Sequence, residues 1–298
     1  MNHIRSPNEP HPSAAAASPP PSSSSSSFPS PSSLDAATTT HSQGRFRIAT
    51  RKLPISKAGA IDAMTARIGI PIPEMIFGDN LVRVAHAPSG WTLDFTAPDA
   101  LDAVDKTDRC MLKVAYARDW ESTREGTTQK IKEVVKPYDW SYSTTYAGTE
   151  KPSTSGVRLR ESVEDVIPIE LLKRRDPILF FDEVVLYESE LDDNGISVYS
   201  AKLRVHEHRM LLLCRLFMRL DNVIVRIRDT RVYVDFDTEQ IIREYTAKEA
   251  SFEQVKTALY RSGRLPDDIT IGLRDPNILD PFLKTVERRN ESVSLKSA

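Results

Sequence analysis

The sequence predicts an α+β fold, a mostly antiparallel β-sheet core of hairpins with flanking helices. The clearest observation is the stretch 211–236, the most apolar part of the chain, in which Asp221-Asn222 separates two strand-like runs. A second is Asn194-Gly195 between two apolar runs, the strongest short-range signal for a hairpin. The third is that strands and helices do not alternate regularly, as a parallel sheet would require.

Within the stretch 211–236, the alternation of apolar and polar residues shifts by one position. Apolar residues occupy alternate positions, as in a strand with one buried face. Before Asp229-Thr230 these are Val223, Val225 and Ile227, and after it they are Val232, Val234 and Phe236. Because a one-residue shift turns every side chain over, a β-bulge or tight turn is predicted at Asp229-Thr230. Arg226, Arg228 and Arg231 are predicted to lie close together, most simply as a solvated face with exposed ion pairs.

Composition and charge limit the kinds of partner that the protein can have. The chain has 298 residues, 40% hydrophobic and 28% charged, with a net charge of -2. This composition is typical of a soluble globular protein. Without a basic excess to neutralise phosphates, we expect no nucleic-acid partner. No apolar run approaches the roughly 20 residues that cross a bilayer, so we expect no membrane partner. Cys110 and Cys214 lie in apolar runs and are predicted to be buried free thiols, which suits a reducing compartment.

Residues 1–43 differ from the rest of the chain. They are rich in Ser, Pro and Ala, a composition that buries too little apolar surface to offset the entropy of ordering. We therefore expect a disordered tail over 1–43, followed by a single domain over 44–298 whose last residues fray. The tail lacks the apolar core of a secretory signal, although its Ser-rich, acid-poor composition leaves an organelle transit peptide open.

The first patterned elements follow the tail. Residues 45–50 are predicted to form an edge strand and 58–68 an amphipathic helix. Strands over 81–86 and 91–95, joined by a Pro-Ser-Gly turn, form a hairpin. Thr96 has the form of a helix cap, with Asp99 three residues later. The local role of Asp99 is then stabilisation of the helix start by about 0.5–1 kcal/mol.

The middle of the chain is aromatic. A strand is predicted over 110–116. Residues 134–149 then hold Tyr138, Trp140, Tyr142 and Tyr146. Such side chains combine a large contact area with a hydrogen-bonding tip and are common on binding surfaces. A half-buried strand with a tyrosine-rich face is the alternative interpretation.

The second half contains more strands than helices. A short helix is predicted over 169–174, strands over 178–191 and 196–205, and a polar turn at His206-Glu207-His208. Past Tyr245 the pattern predicts a helix that buries Phe252, Val255 and Leu259. A last helix is predicted over 276–289.

Motifs for catalysis are lacking. There is no Gly-rich phosphate loop and no Ser or Cys nucleophile motif. The acids of 192–195 lack the ligand spacing of a calcium loop, and His206-Glu207-His208 lacks helical zinc spacing. We expect no catalytic residue, no cofactor and no metal. The alternative left open is an uncharacterised β-rich hydrolase or metal enzyme that uses clustered acids with His86, His206 or His208.

Several long strings resemble one family. The matching stretches are EMIFGDN from Glu74, KVAYARDWESTREG from Lys113, VVKPYDWSY from Val134, FFDEVVLYESELDDNGIS from Phe180, RLDNVIVRIRDTRVY from Arg219 and REYT from Arg243. In this order they resemble the TIPRL family, regulators of the TOR signalling pathway, and the Ser/Pro-rich tail suggests a plant-type member. The tail before Gly44 has no counterpart in the family core, and the region after about Ser262 matches poorly.

The resemblance implies a non-enzymatic regulator. Family members bind the catalytic subunits of type 2A, type 4 and type 6 protein phosphatases, contact the extreme C-terminal tail, and act in inhibition, recycling and assembly. The resemblance further implies a cytoplasmic protein, with the nucleus as a second compartment, that is monomeric alone. Which phosphatase type is preferred, and whether binding inhibits or protects it, stays open.

The resemblance also implies four binding residues. By motif position they are Asp99 in FTAPDAL, Arg231 in RDTRVY, and Ile227 and Ile167, with local divergence around Ile167. A guanidinium can hold a terminal carboxylate with two parallel hydrogen bonds, and neighbouring apolar side chains can seat the leucine beside that carboxylate. Because Arg231 should point away from Val232 and Val234, this role is compatible with an intact core.

Overall fold

The structure, a computed structural model, describes residues 29–107, 138–263 and 269–296. Its strands are β1 (Thr38–Gln43), β2 (Phe46–Arg51), β3 (Met75–Ile76), β4 (Leu81–His86), β5 (Thr92–Thr96), β6 (Thr149–Lys151), β7 (Arg160–Glu161), β8 (Phe180–Ser189), β9 (Gly195–Val205), β10 (Arg209–Leu220), β11 (Ile224–Asp235), β12 (Gln240–Ser251) and β13 (Lys284–Ser294). Its helices are α1 (Pro31–Ala36), α2 (Ala58–Ile68), α3 (Ala97–Asp102), α4 (Ile169–Leu172), α5 (Phe252–Arg261), α6 (Ile269–Gly272) and α7 (Pro276–Leu279), the last followed by a 3-10 turn at Asp280–Phe282. The predicted α+β class with mostly antiparallel strands is confirmed.

The strands form two antiparallel sheets within the described residues. The large sheet has the order β3-β8-β9-β10-β11-β12-β13-β7, and the small sheet has the order β1-β2-β4-β5-β6. One continuous apolar core joins the small sheet to one face of the large sheet. We call that face the inner face and the opposite one the outer face. Inner-face side chains such as Leu212, Val232 and Val234 are fully buried in this core.

The hairpin β10–β11 is confirmed, but the bulge or turn predicted at Asp229-Thr230 is wrong. β11 keeps an unbroken register with β10 and with β12 through both residues. The apolar positions change phase because the two halves of this continuous strand are covered from opposite sides. Val225 and Ile227 pack on the outer face in a cluster with α5, whereas Val232 and Val234 pack on the inner face.

Several shorter predictions are also confirmed. α2 and β4 have the predicted bounds, β4 pairs with β5, and β8 pairs with β9 across the Asn-Gly turn. Thr96 caps α3 by accepting a hydrogen bond from the Asp99 amide at 3.3 Å. The polar turn at 206–208 joins β9 to β10. Cys214 is buried and free as predicted, whereas Cys110 and the strand predicted over 110–116 lie outside the described residues.

The predicted disordered tail is too long at its C-terminal end. Residues 1–28 lie outside the described residues, but α1 and β1 precede Gly44, and β1 pairs with all of β2. β2 is therefore an interior strand, not the predicted edge. The His41 ring stacks on Phe180 at 5.4 Å, and the Gln43 amide nitrogen donates to the Glu207 carbonyl at 2.7 Å. These contacts with the large sheet offset the entropy lost when residues 38–43 become ordered. They involve residues far away in the sequence, so no local pattern predicts them.

The helix predicted over 276–289 is wrong beyond Leu279. Pro281 lacks an amide hydrogen and cannot sit inside an α-helix without breaking a hydrogen bond. The chain instead extends as β13 along β12, where its backbone groups find partners. Most of β13 is exposed, which removes the apolar alternation that would have revealed a strand.

The aromatic segment lies in the core and not on a binding surface. Tyr138, Trp140 and Tyr142 are 5%, 6% and 7% exposed and belong to the cluster between the sheets. The segment is not the predicted half-buried strand either, because its strand-like pairing before β6 is a single bridge between Val104 and Thr144 within the described residues. The hydroxyl of Tyr187 donates to the Tyr142 carbonyl at 2.9 Å and so anchors the segment to β8.

Candidate functional site

A line of alternating charges crosses the outer face of the large sheet. The side chains, from β10 to β13, are Arg215, Asp229, Arg231, Glu244 and Arg288, which we call the charged row. Cross-strand register produces it, because Arg215 faces Asp229 across β10–β11 and Arg231 faces Glu244 across β11–β12. Oppositely charged neighbours on one face of a sheet attract each other.

Asp229 is the buried centre of the charged row. Its carboxylate accepts two hydrogen bonds from Arg215, at 2.7 and 2.8 Å, and one from Nη2 of Arg231 at 2.9 Å. The Asp229 side chain is 3% exposed, so the two guanidiniums compensate its loss of hydration. Burial lowers the pKa of Arg215, but the Asp229 contact outweighs burial and the pKa is raised. The Arg215 guanidinium therefore stays charged in this buried position.

Arg231 forms a hydrogen bond with Asp229 but not with its other acidic neighbour, Glu244. Its Nη1 lies 3.9 Å from Oε2 of Glu244, longer than a hydrogen bond. The Arg231 side chain is 33% exposed, whereas that of Glu244 is 11% exposed. The Arg231 guanidinium is therefore fixed by Asp229 and partly exposed at the surface. It lies on the side opposite Val232 and Val234, as predicted.

Two apolar clusters flank the charged row on the outer face. One contains Ile227 and Phe217 under α5, and the other contains Ile167, Tyr233 and Ile242. Ile227 is 1% exposed and Ile167 is 6% exposed. The structure therefore brings Ile167, Ile227 and Arg231 to the same face, with only Arg231 substantially at the surface.

A groove opens beside the charged row. It has a volume of about 630 Å³ and lies between β8–β10 and the segment that leads into α7. Its apolar lining includes Val198, Leu213 and Phe217, and Leu213 faces Arg231 across β10–β11. An apolar side chain next to a bound anionic group would therefore find contacts in the groove.

Asp99 lies apart from the other three predicted residues. It sits half-buried in the first turn of α3, and its carboxylate accepts a hydrogen bond from Thr149 at 2.9 Å. The Thr149 hydroxyl also contacts the Tyr146 hydroxyl at 2.8 Å. This part of the chain packs with the small sheet and the inner face, so Asp99 and Arg231 are on opposite sides of the large sheet.

The predicted grouping of three arginines on β11 is wrong. Arg226 and Arg228 point to the inner face, where both donate to Glu249, while Arg231 points to the outer face. Arg226 also reaches Asp139 at 3.3 Å and so ties β11 to the aromatic segment. Burial raises the pKa of Glu249, but its contacts with Arg228 and Arg226 outweigh burial and lower it. The inner pair is therefore structural.

Metal, membrane and thiol chemistry find no support in the described residues. Among them, no three His, Cys, Asp or Glu side chains are grouped so as to hold a metal ion. None of the helices in these ranges is long and apolar enough to span a membrane. Burial raises the pKa of the Cys214 thiol to about 12, which makes this thiol a poor nucleophile.

The family model for the TIP41-like family matches residues 75–256. The chain belongs to the TIP41-like family. It is 40% identical over 214 residues to the human TIP41-like protein, covering 71% of this chain and 77% of that protein. It is 35% identical over 261 residues to the Saccharomyces cerevisiae type 2A phosphatase activator TIP41, covering 83% of this chain and 72% of the activator. Against the Arabidopsis thaliana TIP41-like protein it is 30% identical over 242 residues, covering 76% of this chain and 80% of the relative.

Sequence reasoning missed the remaining members of the charged row. The phase change predicts a bulge or turn at Asp229, whereas the unbroken strand makes it a buried acid. Arg215 interrupts an otherwise apolar run, which is the one signal that could have marked it as a buried partner. Glu244 and Arg288 meet only through the β12–β13 register, and the sequence pattern predicts a helix over 276–289 where the first half of β13 lies.

Proposed function

We propose that this protein is a non-enzymatic regulator that binds the catalytic subunits of type 2A, type 4 and type 6 protein phosphatases, including their C-terminal tail. It acts as a monomer in the cytoplasm and the nucleus and controls phosphatase activity and assembly in TOR signalling. Family membership supports the proposal, because the S. cerevisiae relative is named a type 2A phosphatase activator. The observation that carries it is the partly exposed Arg231 guanidinium, fixed by Asp229 on the outer face.

The chemistry of a chain terminus fits the outer face. A terminal carboxylate accepts two parallel hydrogen bonds from a guanidinium, and Asp229 already orients that of Arg231. The leucine beside the carboxylate would enter the groove next to Leu213 and Phe217. In this proposal Ile227 and Ile167 act beneath the surface by supporting the strands that present Arg231.

Asp99 has a different role in the proposal. Because Asp99 and Arg231 lie on opposite sides of the large sheet, we infer that they contact different parts of the partner. Asp99 therefore contacts the folded body of the catalytic subunit. Thr149 holds the carboxylate in place with one hydrogen bond, which leaves its other oxygen to accept one from the partner.

Co-purification followed by identification of the partner tests the proposal. We expect the full chain to recover type 2A, 4 or 6 catalytic subunits from cells and to bind the purified subunit directly. Asp99→Ala should weaken that affinity about fivefold or more, since loss of one interface contact costs about 1 kcal/mol or more. The free energy of unfolding should fall by only about 1 kcal/mol.

Asp102→Ala is the matched control, because Asp102 lies in the same helix and forms an exposed ion pair with Lys106 at 2.8 Å. Its affinity should equal that of the unchanged chain. The proposal is wrong if the purified catalytic subunit shows no binding. Asp99 is only structural if the affinity falls no further than the loss of folded protein explains.

A further inference from the structure

Arg288 extends the charged row onto the edge strand β13. It lies beyond residues 75–256, the part of the chain that the family model matches. Thr246 is its cross-strand neighbour on β12, and Nη2 of Arg288 reaches diagonally to Oε1 of Glu244. With 60% of its side chain exposed, Arg288 is the most accessible cation of the row.

Glu244 brings Arg231 and Arg288 to the same place. One of its carboxylate oxygens contacts Arg288, and the other lies 3.9 Å from Nη1 of Arg231. The two guanidiniums therefore flank a single acid from its two sides. An anionic group placed above Glu244 would lie within reach of both.

The exposed part of the charged row is cationic. The row contains the cations Arg215, Arg231 and Arg288 and the acids Asp229 and Glu244, which leaves a surplus of one positive charge. Asp229, Glu244 and Arg215 are only 3%, 11% and 14% exposed, whereas Arg231 and Arg288 are 33% and 60% exposed, so the charges of the row that reach solvent are positive. Ionised carboxylates only accept hydrogen bonds, so the accessible donors of the row belong to Arg231 and Arg288.

The surface continues past Arg288 into a cavity. This cavity has a volume of about 340 Å³ and lies where β7 ends beside β13. Ser162, Val163 and Asn290 are among the residues that line it. Of these, Val163 is 93% exposed. A bound segment therefore has space on both sides of the two guanidiniums, with the larger groove at the β10 side of the row.

We propose that Arg288 is a second contact residue for the anionic C-terminal tail of the phosphatase catalytic subunit. The terminal carboxylate binds between the guanidiniums of Arg231 and Arg288, and Glu244 acts as the positioning residue that sets their separation. The proposal rests on the proposed function, and charge complementarity selects the occupant. It assigns a role to a residue of this chain outside the stretch that defines the family.

Affinities of full-chain variants for a purified type 2A catalytic subunit, intact or lacking its last residues, test the proposal. Arg288→Ala should weaken binding of the intact subunit about fivefold to tenfold, and Arg288→Glu should weaken it further, because a partly exposed charge contact is lost or reversed. Neither change should alter binding of the shortened subunit. Lys284→Ala, which removes an exposed cation from the first position of β13, should leave both affinities unchanged.

Each result has one meaning. If the unchanged chain does not bind the intact subunit, the proposed function fails and this inference fails with it. If the unchanged chain binds and Arg231→Ala weakens binding, while Arg288→Ala behaves like Lys284→Ala, then the inference alone is overturned. Equal loss by Arg288→Ala on the intact and shortened subunits also overturns it, because Arg288 would then contact something other than the tail. Melting temperatures of all variants separate these losses from unfolding.

Discussion

At the scale of single residues, His86 and Glu239 form a buried pair where the small sheet meets the turn between β11 and β12. Nε2 of His86 lies 3.3 Å from Glu239, and the other ring nitrogen contacts Ser89 at 2.8 Å. Burial lowers the pKa of His86, which Glu239 opposes and Arg45 reinforces. The folded state therefore favours the neutral ring.

This pair predicts a loss of stability as pH falls. The unfolded chain takes up a proton near pH 6.5, whereas folded His86 does so only at lower pH. Stability is complete above about pH 6.5 and decreases below it, by at most about 1.4 kcal/mol per pH unit. Melting temperatures between pH 8 and pH 5 should show this slope, and His86→Gln should remove it. The partly exposed His206→Gln is the control, and an unchanged slope in His86→Gln would disprove the assignment.

Residue identity alone could place Arg231 but not its partners. Alternation along β11 puts Arg231 on the face opposite Val232 and Val234, as the structure confirms. Asp229, Glu244 and Arg288 join it through cross-strand register, which depends on long-range pairing and is not written in any local pattern.

At the scale of elements, the predictions that succeeded are those with local causes. α2 has the predicted end at Ile68, and Gly69 follows it in the left-handed region at a φ of 82°. The Asn-Gly hairpin and the Thr96 cap also depend on neighbouring residues. The predictions that failed depend on distant contacts. β11 changes its buried face because α5 covers one half only, and β13 is recognisable only through its pairing with β12.

β1 gives a prediction at this scale. A chain beginning at Gly44 loses β1 and exposes the edge of β2, whereas a chain beginning at Pro29 keeps both strands. We expect the shorter chain to lose about 1–3 kcal/mol of unfolding free energy, since a few net backbone hydrogen bonds disappear. Chemical denaturation of both chains measures the difference. Equal stability would mean that β1 contributes nothing to the fold, and a loss on beginning at Pro29 would give residues 1–28 a structural role.

At the scale of the whole molecule, the two sheets separate the predicted binding residues. The inner core holds the aromatic segment, which sequence patterns could not distinguish from a binding surface because tyrosine and tryptophan suit both. The outer face holds the charged row between two apolar clusters. The proposed function therefore needs a partner that reaches both sides of the large sheet, with a folded body as well as a tail.

The most direct test of the account is a double-mutant cycle between Arg231→Ala and removal of the last residues of the phosphatase catalytic subunit. Alone, Arg231→Ala should cost about 2–5 kcal/mol of binding to the intact subunit, because it breaks a charge-assisted contact at a partly desolvated surface. Arg231→Lys should recover little of this, since an ammonium cannot form the two-pronged pair. Against the shortened subunit, Arg231→Ala should have almost no further effect, because the contact is already absent. If the two changes lower the affinity additively, then Arg231 does not touch the tail, and the carboxylate contact is wrong even though the chain belongs to the family.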